Sequence, residues 1–144
     1  MALKDKKVPA NVKVDKKIEA EIRVRAGEGT LSCAEAFDAA GHTGVSPLQV
    51  GKTADVLGIH LSHCQIGLFG YPGHAKGWDK SRAGFGPAPD GLEAAIKRKA
   101  GREGHVTCPD LWDLAEHYGV PRILVGFVTD RLGIRVVGCQ LGAF

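Results

Sequence analysis

Apolar positions along the chain fall into short periodic runs, and the runs occur twice in the same order. Ile18, Ile22 and Val24 begin an amphipathic helix that Gly27 ends, and Leu92, Ile96 and Ala100 mark out its counterpart. A short β segment follows each, TLS at 30–32 and HVT at 105–107. Ser32 or Thr107 then serves as N-cap for a helix over CAEAFDAAGH or CPDLWDLAEHY, which Gly44 or Gly119 closes. A tight turn, GVSP or GVPR, leads into a further helix, PLQVGKTADVLG or RILVGFVTDRLG, that stops at Gly58 or Gly133. The β-branched stretches at 59–62 and 134–137 read as strands.

The recurrence is a register, not a loose similarity. Shifting the sequence by 75 places sets residues 30–69 over 105–144 without a gap, and 16 of the 40 pairs are identical. Both copies finish on Cys-Gln-x-Gly-x-Phe, at Cys64 to Phe69 and Cys139 to Phe144, with Phe69 and Phe144 expected to return to the core of their own copy. Upstream, KIEAEIRVRAG at 17–27 lies over GLEAAIKRKAG at 91–101, one step out of register because GREGHVTC carries an extra residue. The pattern divides the chain into an arm at 1–16, a repeat at 17–69, a Gly- and Pro-rich connector at 70–90 and a second repeat at 91–144. The expected class is mainly α with short β-wings.

The order helix, short strand, helix, glycine turn, helix, strand resembles the helix-turn-helix superfamily of DNA-binding domains, in its winged-helix form, present here in two tandem copies. The features that carry the resemblance are Ala40 and Ala115 in the first helix of the pair, the turn residues Gly44-Val45 and Gly119-Val120, Val50 and Val125 in the second helix, and the Leu-Gly-Ile exits. It implies that the second helix of each pair is a reader of the major groove. In the first copy that helix offers Leu48, Gln49, Gly51, Lys52 and Asp55, of which Gln49 and Lys52 are suited to bases and phosphates. In the second it offers Ile123, Leu124, Gly126, Phe127 and Asp130, an apolar face fitted to packing or to dimerisation. A glycine inside both helices costs about 1 kcal/mol relative to alanine, which implies another backbone packed against it.

Charge adds to this picture. The net charge is +3 and the pI about 8.7, mildly basic. Lys4, Lys6, Lys7, Lys13, Lys16, Lys17, Arg23 and Arg25 gather in the arm and first helix, and Lys97, Arg98, Lys99 and Arg102 at the end of the corresponding helix. The connector interleaves Tyr71, Trp78 and Phe85 with Lys76, Lys80 and Arg82. These residues suit phosphate contact and base stacking, or, more simply, a solvated basic tail and a linker stapled to its domains.

No signal-like apolar stretch opens the sequence, so a cytoplasmic, reducing setting and no membrane are expected, with thiols rather than structural disulfides. Cys33 and Cys108 open helices, where the helix dipole lowers a thiol pKa, and Cys64 and Cys139 follow the last strands. Buried packing residues are one reading. A redox pair or a zinc or iron site within each copy is the other, joined in the first copy by His60 and His63 of H-x-x-H-C. No C-x-x-C is present. Absence of a phosphate loop, G-x-S-x-G or H-E-x-x-H favours a binding protein over an enzyme. The resulting expectation is a regulator-like binder of duplex DNA, and the alternative a protein-interaction or cysteine-based sensing module on the same scaffold.

Overall fold

A computed structural model describes residues 14–27, 29–69 and 88–144. Lys4, Lys6, Lys7 and Lys13 of the arm, and Tyr71, Lys76, Trp78, Lys80, Arg82 and Phe85 of the connector, lie outside the described residues. Among the described residues the structure is mainly helical, with short strands in two small sheets. Elements follow in the order α1 (Lys16–Arg25), β1 (Thr30–Ser32), α2 (Cys33–Thr43), α3 (Pro47–Val56), β2 (His60–Ser62), α4 (Leu92–Ala100), β3 (His105–Thr107), α5 (Cys108–Tyr118), α6 (Arg122–Arg131) and β4 (Arg135–Val137). A single 3-10 turn at Gly101–Glu103 separates α4 from β3 and accommodates the extra residue of the second copy. Among the described residues no helix is long and apolar enough to cross a membrane.

Local chemistry fixes the helix starts. Asp15 caps α1 by accepting from the Lys17 N–H at 2.8 Å, and Ser32 caps α2 by accepting from the Glu35 N–H at 3.1 Å. Thr107 and Asp110 form a reciprocal capping box at α5, with bonds of 3.3 and 3.0 Å. Each such cap is worth about 1 kcal/mol. The strands pair in parallel, β1 with β2 from Thr30↔His60 to Ser32↔Ser62, and β3 with β4 from His105↔Arg135 to Thr107↔Val137. Parallel pairing is what a helical crossover between two strands permits.

In α1 the buried stripe is Ile18, Ile22 and Ala26, a strict i, i+4, i+8 row; Val24, expected on that face, is 85% exposed because it lies half a turn away. Leu92, Ile96 and Ala100 of α4 occupy the equivalent row and are all buried.

Two compact units result, and their borders fall inside the repeated motifs. The first takes the described residues up to Cys64 together with Gln140–Phe144, the second Gln65–Cys139. Each Cys-Gln-x-Gly-x-Phe motif therefore leaves its own repeat after the cysteine and joins the unit of the other repeat. Within the first unit, α1, α2 and α3 pack on one another around Ile22, Leu31, Ala36, Ala39, Val50 and Ala54, with Leu141 buried among the same set of unit residues. Within the second, α4, α5 and α6 pack around Ile96, Val106, Leu111, Val125 and Val128, with Ile66.

The expected backbone approach to the helix glycines is present. A methyl group built on Gly51 would overlap the carbonyl oxygen of Leu141 and stand 2.8 Å from its carbonyl carbon; one on Gly126 would overlap the oxygen of Ile66, again 2.8 Å from the carbon. Phe69 and Phe144, expected in the cores of their own repeats, belong instead to the exchanged segments, where Phe69 is buried and Phe144 is 44% exposed. Three residues before each phenylalanine, Ile66 and Leu141 carry their segments onto glycine surfaces that lie in the opposite repeat.

Candidate nucleic-acid interface

In the first unit the turn between α2 and α3 is Gly44, Val45 and Ser46. Gly44 takes φ +72°, a left-handed conformation that side-chain-bearing residues avoid, and the N–H groups of Gly44 and Val45 both reach the Ala40 carbonyl, at 2.9 and 3.2 Å. Ser46 then starts α3 with Pro47 behind it. The Ser46 hydroxyl accepts from the Gln49 N–H at 3.2 Å, and the Gln49 Oε1 accepts from the Ser46 N–H at 3.3 Å. This capping box involves the side chain expected to read a base. While it is closed, Gln49 presents its amide N–H2 outward and its carbonyl inward. Bidentate pairing with adenine requires Oε1 to leave Ser46, whereas a single donor contact does not.

Gln49 and Lys52 are exposed on the first two turns of α3, and Lys52 has no ion-pair partner among the described residues. Two neighbours expected on the same outer face are placed differently. Gly51 is buried under Leu141, and the Leu48 side chain lies over Gly142 of the same exchanged segment while remaining 41% exposed. The accessible face of α3 is therefore narrower than its sequence implies and centres on Gln49 and Lys52.

The second unit repeats the turn but not the chemistry. Gly119, at φ +63°, and the Val120 N–H to Ala115 carbonyl bond of 3.0 Å reproduce the geometry. Pro121 replaces the capping serine and α6 has no side-chain cap. Leu124, the counterpart of Gln49, is buried at 4% exposure and is thus a core residue rather than part of an outer face; Ile123 and Phe127 are half-buried. Arginines line this helix: the Arg122 guanidinium stacks 3.6 Å over the Trp112 ring and donates to Gln65, and Arg131 lies 5.9 Å from the centre of the Phe127 ring while pairing with Glu93.

The basic residues divide into neutralised and unneutralised sets. Lys16 and Arg23 both pair with Glu19, at 3.6 and 3.0 Å. The Arg23 hydrogen bond, ahead of the nearby Lys16 charge, holds the Glu19 carboxyl below its ordinary range. Arg25 is the centre of a network. It binds Glu21 at 3.0 Å and Glu35 at 2.6 Å, lies 3.8 Å from Asp38, and has His42 Nδ1 at 3.4 Å. Hydrogen bonds to Glu35 and then to Glu21 raise its pKa still further. Neither Arg23 nor Arg25 thus offers an unengaged charge to phosphate. Lys17, Lys97, Arg98 and Lys99 are exposed and have no carboxylate partner among the described residues. The last three crowd the C-terminal turn of α4, where they also suit the helix dipole. Arg98 and Lys99, with Ala95, Leu114, His117 and Tyr118, line a pocket of about 270 Å³ that the sequence did not reveal.

Cys33, Cys64 and Cys108 are buried and Cys139 is half-buried. Strand pairing brings the two ends of each copy together, most directly where the Cys108 N–H meets the Gly138 carbonyl at 3.4 Å. His60 and His63 are exposed, and His63, at φ +47°, has its Nδ1 3.1 Å from the Ser62 hydroxyl. Among the described residues no group of three His, Cys, Asp or Glu side chains converges as a metal site, so H-x-x-H-C does not assemble as one. No family model, curated protein or solved structure matches the chain.

Proposed function

We propose that the protein is a DNA-binding, transcriptional-regulator-like protein made of two tandem helix-turn-helix units of winged-helix type, in which only the first unit reads duplex DNA through α3. One observation carries the reading: a tight glycine turn fixes a capped helix against α1 and α2, and the polar side chains left exposed on its first two turns are Gln49 and Lys52. The N-terminal residues of such a helix are the ones that reach base edges. Lys17 supplies further phosphate contact, whereas Arg23 and Arg25 hold the fold. The second unit keeps the scaffold but assigns Leu124 to its core and Ile123 and Phe127 to packing, so it does not act as a second reader.

The test is fluorescence anisotropy with a mixed-sequence duplex over a salt series. Binding is expected to weaken steeply with salt, and Lys52→Ala to weaken it on all sequences and reduce the salt slope by about 1. Absence of binding at low salt refutes the proposal, as does binding that Lys52→Ala leaves unchanged.

A further inference from the structure

The two units differ at one place in a way that supplies a ligand's chemistry. In the first unit the Glu21 carboxylate sits between Arg25 Nε, at 3.0 Å, and His42 Nδ1, at 4.0 Å, and closes the network described above. The repeat register maps Glu21 to Ala95, Arg25 to Lys99 and His42 to His117. The buried rows confirm the alignment of α1 with α4, Ile18, Ile22 and Ala26 matching Leu92, Ile96 and Ala100. The second unit has thus kept a cation and a histidine and lost the carboxylate that joined them. The other two carboxylates do not compensate: Asp110, opposite Glu35, is committed to the Thr107 cap, and Asp113, opposite Asp38, makes no ion pair with Lys99.

What stands there is the pocket of about 270 Å³. Its polar side is Arg98, Lys99 and His117. Its apolar side is Ala95, Leu114 and the ring of Tyr118, which is held in place by a hydroxyl bond to the Gly91 carbonyl at 3.2 Å and by edge contact with His117. Cations at one wall and hydrocarbon at the other match a small organic acid better than inorganic phosphate or a nucleic-acid backbone, neither of which uses the apolar wall. We propose that this pocket binds a small carboxylate with an apolar body, the carboxylate lying between Lys99 and His117 where Glu21 lies in the first unit. The site goes beyond the DNA-binding reading and does not depend on it.

Benzoate is a suitable probe, with inorganic phosphate as the second arm, in an amide and side-chain NMR titration of the full chain. Benzoate is expected to give saturable shifts confined to the pocket residues, with phosphate at least about tenfold weaker. Lys99→Ala should weaken benzoate about tenfold or more, the scale of one charge-assisted hydrogen bond. Ala95→Glu should abolish binding, since it returns the missing carboxylate to the chain. Phosphate binding as tight as benzoate, shifts scattered outside the pocket, or an unchanged benzoate affinity in Lys99→Ala would each overturn the proposal. Should Ala95→Glu fail to fold, Lys99→Ala and the phosphate arm still decide it.

Discussion

Replacing Gly51 by alanine should destabilise the protein, against the direction that helix propensity dictates. On an open helix face the change is favourable by about 1 kcal/mol. Here the new methyl would overlap the Leu141 carbonyl oxygen and stand 2.8 Å from the carbonyl carbon and 3.2 Å from Cα, all backbone atoms that cannot rotate away. Segment 140–144 must therefore withdraw from α3, and with it go Leu141, 1% exposed, and Ala143, 6% exposed. Exposing a buried leucine costs about 1.5–3 kcal/mol. Subtracting the propensity gain leaves a net loss of about 0.5–2 kcal/mol. Urea denaturation measures this, and removal of residues 140–144 provides the control. Without the segment the Leu141 carbonyl no longer meets the methyl, so Gly51→Ala should become neutral or stabilising by up to about 1 kcal/mol. Stabilisation by Gly51→Ala in the full chain, or a penalty that persists without residues 140–144, would refute the packing argument. Gly126→Ala repeats the test in the second unit, where Ile66 takes the place of Leu141.

Under native conditions a maleimide reagent should label Cys139 before Cys33, Cys64 and Cys108, because only Cys139 is less than fully buried; mass spectrometry of timed samples reads the order, and equal rates would contradict the burial. NMR titration should place the Glu19 carboxyl below the ordinary glutamate range, and Arg23→Ala should move it back up. Since the folded pKa is the depressed one, the pair's contribution is present above the unfolded pKa and is lost as pH falls through the folded value, so acid should weaken wild type more than Arg23→Ala.

Much of the fold was legible because it depends on backbone-level signals. The caps at Ser32 and Thr107 and the turns at Gly44 and Gly119 have few alternative explanations in sequence, and the two helix glycines correctly announced a close backbone; the capping box at Ser46 went unread inside its turn. The exchange of segments was not legible. A motif's residues state that it needs a glycine surface, but Gly51 and Gly126 are equally good surfaces by sequence, and the choice between them is made in three dimensions. The neutralisation of Arg23 and Arg25 was hidden in part for a similar reason: Glu19 and Glu21 stand at helical i, i+4 spacing and were readable, whereas Glu35 comes from α2. The burial of Leu124 fits the packing half of its packing-or-dimerisation reading, a choice that a helix wheel cannot make because it does not tell a partner's apolar surface from the chain's own core.

The positions shared by the two copies and those that differ separate along a physical line. Gly44 and Gly119, Gly58 and Gly133, and Gly67 and Gly142 all have φ between +72° and +79° apart from Gly119 at +63°, where any side chain would be strained. Gly51 and Gly126 are required by a touching carbonyl. These identities fix backbone shape and nothing else, so they constrain both copies equally whatever each one binds. The differing positions alter chemistry without disturbing that shape: Gln49 against Leu124, Lys52 against Phe127, Glu21 against Ala95. A scaffold whose turns and docking surfaces are set by glycine leaves its helix faces free to change, and the two faces here have changed in opposite senses. The first unit pairs its Arg25 internally and exposes a polar α3; the second buries the equivalent α6 position and leaves Arg98 and Lys99 without carboxylate partners among the described residues, beside a pocket. On this argument the copies are not two readers of one site, and a variant that impairs α3 should leave the α4–α5 pocket intact.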